Sequence, residues 1–322
     1  MSPLLLLIAA QAHAACTQVG VSPRQAAQVT ADGELPERGI PSVQRPKQRP
    51  LGAAAMSVVP GLGHLHTCDD LAGVSQGVTS VALSLVGTGL ADKPGPLRTP
   101  LAVSALHTGR SLAWYSAYDA YRLTKMQRGP VQGATTVDGA SLKTLALSPF
   151  RLENIRAPAT LFASGLAVGI VGAGVALDTP GAWPDSVDWG GLKMHPAAAF
   201  GVGTAWTGYT ITNVAVSEEA LFRGVVQPVL VDATGRPWLG MTLSNVLFGL
   251  AHFDLDDPVT GAISASYIAV SSFDVAISAH KHGYDLGRPI AAHFWYDTIL
   301  FVGLLAADPR NSPWELAFTV PI

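Results

Sequence analysis

Charge is what this chain has least of. Only 13% of its 322 residues are Asp, Glu, Lys or Arg, about half of the ~25% that an ordinary soluble domain carries. The length would allow two soluble domains, but so little charge cannot cover the surface they expose, and a soluble enzyme is excluded. A basic excess is also lacking. The formal net charge is −3, so no broad basic face advertises nucleic acid, and no nucleic-acid partner is expected. Cys16 and Cys68 are the only cysteines. A disulfide framework and a CxxC metal site are thereby excluded, which leaves two buried thiols or one bridge between them. The sequence has no HExxH pair either, so no single helix offers a zinc protease site.

What is present is apolar. Hydrophobic residues make up 48% of the chain and glycine numbers 33, a composition that suits membrane helices packing closely. Uncharged runs of bilayer length recur. Leu71 to Ala91 and Ala157 to Leu177 are 21 residues each, matching the ~20 needed to span. Further candidates are Leu101 to Tyr121 (carrying Arg110), Pro196 to Val216, Trp238 to Phe253, Gly261 to Ala279 (carrying Asp274) and Pro289 to Ala307. Leu51 to His66 is shorter, and its Pro60-Gly61-Leu62-Gly63 suggests a half-span or an interfacial turn. The expected fold class is therefore all-α, a polytopic transmembrane helical bundle of about seven or eight segments. Its lipid bilayer partner follows from that composition.

The chain divides as 1–16, 17–50, 51–122, 123–155, 156–310 and 311–322. Leu4 to Ala10 are apolar and Ala12-His13-Ala14 resembles a cleavage site, so 1–16 reads as a signal peptide, an uncleaved anchor or a lipidation signal at Cys16. Residues 17–50 form a polar, proline-punctuated linker ending in Arg45-Pro46-Lys47-Gln48-Arg49-Pro50. Residues 51–122 form an N-terminal hydrophobic helical module. Its Val59-Pro60-Gly61-Leu62-Gly63-His64 reads as a hairpin whose glycines permit close packing, and it also resembles small bacterial membrane modules with a Pro-Gly-x-Gly turn. Residues 123–155 are a loop, and 311–322 a tail. Arg122, Lys125, Arg128, Lys143, Arg151 and Arg156 stand against Lys193 alone in the 178–195 loop, which places the 122–156 stretch in the cytoplasm. Val214 to Leu230 either continues the preceding helix or forms a separate crossing.

With so few charges in apolar surroundings, each ionisable group there is a functional hypothesis by default. Ser217-Glu218-Glu219-Ala220-Leu221-Phe222-Arg223-Gly224 follows a run with no charge at all. On a helix Glu219 and Arg223 are four apart and share a face. Glu218 points about 100° away on a 3.6-residue period, leaving one carboxylate without a local cation and free to act as a base. Phe248-Gly249-Leu250-Ala251-His252 ends an apolar segment. His293-Phe294-Trp295-Tyr296-Asp297 places an imidazole and a carboxylate four apart.

The ordered motifs EExxxR (Glu218, Glu219, Arg223), FxxxH (Phe248, His252) and HxxxN/D (His293, Asp297) resemble the CPBP family of intramembrane proteases. That family includes the CAAX prenyl endopeptidases and is also called the Abi family. The resemblance covers roughly residues 155–310. It implies a helical bundle enclosing a polar catalytic cavity, with a CPBP-type core at 156–310. Glu218 and His252 would activate a water for peptide hydrolysis. Glu219 would pair with Arg223, and His293 with residue 297 would stabilise the oxyanion. The commonest family pattern has Asn at 297. Asp297 would instead hold His293 charged, or act protonated. No cofactor is expected, because a zinc site would need Glu218, His252 and His293 gathered from separate helices; zinc held by those three is the alternative.

The implied partners are a protein or peptide substrate in or at the membrane, and the expected location is a bacterial inner membrane. A non-enzymatic protein of the same fold, in bacteriocin self-immunity or as a scaffold, is the competing reading. A proton-coupled transporter fits the composition but not the order of the motifs. Prenylated substrates are not expected; maturation of secreted proteins, or release of C-terminal sorting tails, fits better. The remaining ionisable groups have plain readings. Arg110 and Asp119 snorkel or pair with each other, and Asp254, Asp256 and Asp257 form a solvated loop. His280, Lys281 and His282 form an exposed turn, while Asp274 faces the cavity or another helix.

Overall fold

A computed structural model describes residues 50–57, 59–67, 69–91, 97–128, 140–177, 185–189 and 192–307. The 1–16 leader, nearly all of the 17–50 linker, both cysteines and the 311–322 tail lie outside these residues.

Helices dominate. In chain order they are α1 (Pro50–Met56), α2 (Leu62–His66), α3 (Asp70–Ala91), α4 (Arg98–Arg128), α5 (Leu142–Ala146), α6 (Leu152–Ile155), α7 (Pro158–Leu177), α8 (Pro196–Leu221), α9 (Gln227–Thr234), α10 (Pro237–Leu250), α11 (Pro258–Ser271), α12 (Phe273–Lys281) and α13 (Gly287–Ala307). The one departure from all-α character among the described residues is a small antiparallel hairpin, β1 (Val187–Trp189) and β2 (Leu192–Met194), just before α8.

Four stretches are long and apolar enough to cross a membrane: Asp70–Ala91, Pro158–Leu177, Pro258–Lys281 and Gly287–Ala307. Their outward faces carry bare aliphatic and aromatic groups, among them Leu71, Leu85, Phe162, Ile263 and Val270. Water would not tolerate such faces on this scale; lipid does. The protein is an integral membrane helical bundle. Pro258–Lys281 is not one rod, because the helix breaks at Ser272 into α11 and α12. The Trp238 to Phe253 candidate becomes α10, which is 14 residues long, about 21 Å at 1.5 Å per residue, short of the hydrocarbon thickness. α4 and α8 have 31 and 26 residues but are richer in Thr, Ser and Gly than in Leu, Ile and Val.

The Pro-Gly turn is a close-packing device. Gly61 takes φ 87°, a left-handed conformation that favours glycine. A Cβ at Gly61 would run into the carbonyl of Gly73 on α3. Near it, fully buried Asp119 pairs with Arg122 at 2.6 Å and stands 3.6 Å from His64 Nε2. Asp119 therefore does not pair with Arg110, and that expectation is corrected. The module and the downstream helices share one core. Tyr115, Tyr118 and Tyr121 of α4 pack in the same buried cluster as Ile211, Ala215, Val216 and Ala220 of α8. Polar contacts follow the same seam: Trp206 Nε1 donates to Ser104 Oγ at 2.9 Å, and Ser111 Oγ donates to the Asn213 carbonyl at 3.0 Å.

Candidate active site

The helical backbone runs without a break from Pro196 to Thr234, so Val214 to Leu230 continues the preceding helix. Inside it, Phe222–Val226 widens into a π turn. Pro228 lacks the N–H that would close an α turn back to Gly224, and the hydrogen-bond ladder widens just ahead of it. Glu218 and Glu219 occupy the last turn before this widening, and Arg223 lies within it.

Their surroundings separate the two carboxylates. Glu219 Oε2 lies 3.3 Å from Arg223 Nε, and its other oxygen accepts a 2.9 Å hydrogen bond from His293 Nδ1. Arg223 is wholly buried, with its guanidinium over the Phe248 ring at 4.9 Å. Glu219 is thus held between a cation and an imidazole, with its hydrogen bond at Oε1 alone. Glu218 has no such partner. Its Oε2 is buried without a hydrogen bond and lies 3.7 Å from His252 Nε2 and 3.9 Å from His293 Nε2. Those gaps are too long for direct hydrogen bonds.

His252 sits just past the end of α10, where Ala251 closes the helix. Its Nδ1 is 2.9 Å from the Phe248 carbonyl. A carbonyl only accepts, so Nδ1 carries a proton, and in the neutral ring Nε2 presents its lone pair toward Glu218. His293, on the first turns of α13, has carboxylates on both sides: Glu219 at Nδ1 and Asp297 Oδ2 at 3.1 Å from Nε2. A doubly protonated ring satisfies two ionised carboxylates, and a neutral ring satisfies both where Asp297 carries a proton. Phe248 holds the group together, meeting Phe222, His252 and His293 edge-on at ring separations of 4.9, 5.0 and 6.2 Å.

These residues open onto a cavity of about 390 Å³ lined by Glu218, Glu219, His252, His293 and Asp297 together with apolar side chains. Among the described residues no group of three or more His, Cys, Asp or Glu is arranged to hold a metal. In the zinc alternative Glu218, His252 and His293 would be the ligands, and His293 faces Glu219 at Nδ1 and Asp297 at Nε2.

Residues 198–299 match the family model described as Type II CAAX prenyl endopeptidase Rce1-like. The matched segment resembles that family. It contains Glu218, Glu219, Arg223, His252, His293 and Asp297. No curated protein and no solved structure matches the chain.

Two ionisable cavity residues lie outside the matched segment. His107 and Arg110 of α4 line the same space, where the sequence reading had Arg110 snorkelling or pairing with Asp119. The available signal was the one that flags Glu218, a lone charge on a run of bilayer length. Asp274 does not line the cavity; its Oδ1 accepts from the backbone N–H of Val275 at 2.8 Å. The acidic loop closes on itself, with Asp254 accepting from Asp256 N–H and Asp257 capping α11 through Thr260. Tyr267 and Tyr296 also line the cavity and share a 2.7 Å hydroxyl contact; nothing in their spacing marked them.

Proposed function

We propose that this protein is an intramembrane endopeptidase, hydrolysing peptide bonds of membrane-associated proteins or peptides with a water activated by Glu218 and His252. The observation that supports this reading is the convergence of an unpaired buried carboxylate and two imidazoles at one cavity, within 3.7 and 3.9 Å. A water beside Glu218 gives one proton to that carboxylate and directs the other to the lone pair on His252 Nε2. Its own lone pair is then aimed at a scissile carbonyl. His293, charged between Glu219 and Asp297, faces the negative oxygen that develops as the tetrahedral intermediate forms. Glu218 next delivers the captured proton to the departing amine, and the bond breaks with no net change in protonation.

Glu218→Gln keeps the shape of the side chain and removes its basicity. Turnover of a membrane-anchored peptide reporter is expected to fall at least ~100-fold, with unchanged yield and thermal midpoint in detergent. Cleavage at the wild-type rate by the Gln variant would end the proposal.

The same reading makes the enzyme independent of metal. Prolonged dialysis against EDTA and phenanthroline is expected to leave activity intact, and elemental analysis to find less than one zinc per chain. A metal-dependent protease loses activity with its metal. Complete inactivation that added zinc reverses would move Glu218, His252 and His293 into the role of ligands.

A further inference from the structure

The cavity that holds Glu218 has a second charged wall, and it comes from outside the Rce1-like segment. Arg110 stands on α4 in the N-terminal module, half-buried, and its side chain lines the cavity beside Thr210, Val214 and Glu218. Arg110 Nε is buried without a hydrogen-bond partner, and no carboxylate forms an ion pair with it among the described residues. Asp119, its one acidic neighbour along the apolar part of the helix, is committed to Arg122. The guanidinium instead rests 5.1 Å from the Trp114 ring centroid, and its Nη2 is 3.4 Å from His107 Nδ1. A guanidinium can only donate, so His107 Nδ1 accepts and the remaining ring proton sits on Nε2. One cation and a second N–H donor therefore border a mostly apolar cavity. Glu218 lines the same space without an ion pair to that cation.

A half-buried arginine without a counterion beside an apolar cavity is costly, and such groups mark binding pathways. The planar guanidinium fork matches a carboxylate through two parallel hydrogen bonds. We infer that Arg110, assisted by His107, is the anchor for a carboxylate of the substrate peptide, so that the N-terminal module selects which chain enters the cavity. Glu218 and Asp297 line the same cavity, and their negative charge directs that carboxylate to the α4 wall. The inference rests on the endopeptidase reading for its substrate class, but its test does not depend on turnover.

The test is binding to the Glu218→Gln protein in phosphatidylcholine nanodiscs, read by fluorescence anisotropy. The probes are labelled ten-residue apolar peptides: one with a free C-terminal carboxylate, its C-terminal amide, and an amidated peptide with an internal Asp. The free acid is expected to bind at least tenfold more tightly than the plain amide. Adding Arg110→Gln is expected to erase that preference, Arg110→Lys to restore part of it, and His107→Ala to reduce it. Preference for the internal Asp peptide over the free acid would assign the anchor to a side-chain carboxylate, and the reverse order to the chain terminus; either supports the subsite. Equal binding of all three peptides overturns it, as does a preference that survives Arg110→Gln. A loss seen only when phosphatidylglycerol replaces phosphatidylcholine would assign the arginine to lipid phosphate and also overturn it. A fall in the thermal midpoint of Arg110→Gln that Arg110→Lys does not share, with no acid preference in either parent or variant, would make the arginine structural. Failure of the Glu218→Gln cleavage test would leave these binding outcomes readable.

Discussion

Arg223 shows how one side chain can hold a site together without touching substrate. Its guanidinium is wholly buried, faces Glu219 Oε2 at 3.3 Å and lies over Phe248 at 4.9 Å. Through Glu219 it fixes the acceptor for His293 Nδ1, and through Phe248 it touches the residue whose carbonyl sets the His252 tautomer. Removing it would leave Glu219 buried and without its cation, a loss of roughly 3–5 kcal/mol against a typical stability of about 5–15 kcal/mol. Arg223→Ala is therefore expected to lower both the folded yield and the activity, measured by monodisperse recovery in detergent and by reporter cleavage. Normal yield with activity lost would argue that Arg223 contacts substrate directly. The pairing of Glu219 with Arg223 was legible from their spacing of four. The isolation of Glu218 was legible only as a leftover, and the two imidazoles opposite it followed from the family resemblance, since neither spacing nor periodicity places them there.

Among the elements, the π turn at Phe222–Val226 connects the site to the N-terminal module. A Cβ on Gly224 would strike the ring of Tyr118, which is fully buried on α4. The absence of a side chain there lets α4 lie against the turn that carries Arg223. Gly224→Val is expected to cost about 1–3 kcal/mol by overpacking and to reduce turnover, since the displaced turn carries Arg223, the partner of Glu219. Gly208, on the same helix, faces open space; Gly208→Ala should leave activity alone and stabilise by up to ~1 kcal/mol through helix propensity. Differential scanning fluorimetry with reporter turnover separates the two, and equal effects from both substitutions would deny the π turn this role. Periodicity and charge counting located the long apolar helices but could not see this turn. A five-residue widening leaves no hydrophobic pattern, and the evidence for it, Gly224 with Pro228 four residues later, is common in ordinary helices.

For the whole molecule, the sequence suggests a module at 51–122 and a core at 156–310 joined by a polar loop. Composition shifts do locate such a boundary, but they are blind to contacts between elements that are far apart in the chain. In space the two segments meet along α4 and α8, where Tyr115, Tyr118 and Tyr121 are each at most 2% exposed within a cluster that includes Ile211, Val216 and Val225. Hydrogen bonds from Ser111 and to Ser104, and the 2.8 Å ion pair of Lys125 with Asp232, cross the same seam. Inside a bilayer, water exclusion does not drive helices together; close packing and interhelical hydrogen bonds do. Emptying one aromatic position in such a seam costs roughly 3–5 kcal/mol, and losing α4 empties three. A fragment of residues 140–322 is therefore expected to aggregate when solubilised alone, although it carries the whole Rce1-like segment. Co-expressed with residues 1–139, it should recover as a monodisperse complex with measurable reporter cleavage, because α4 would again cover α8 and return His107 and Arg110 to the cavity. If the 140–322 fragment alone elutes as a single species and cleaves at the full-length rate, the module is an accessory and the shared core contributes little.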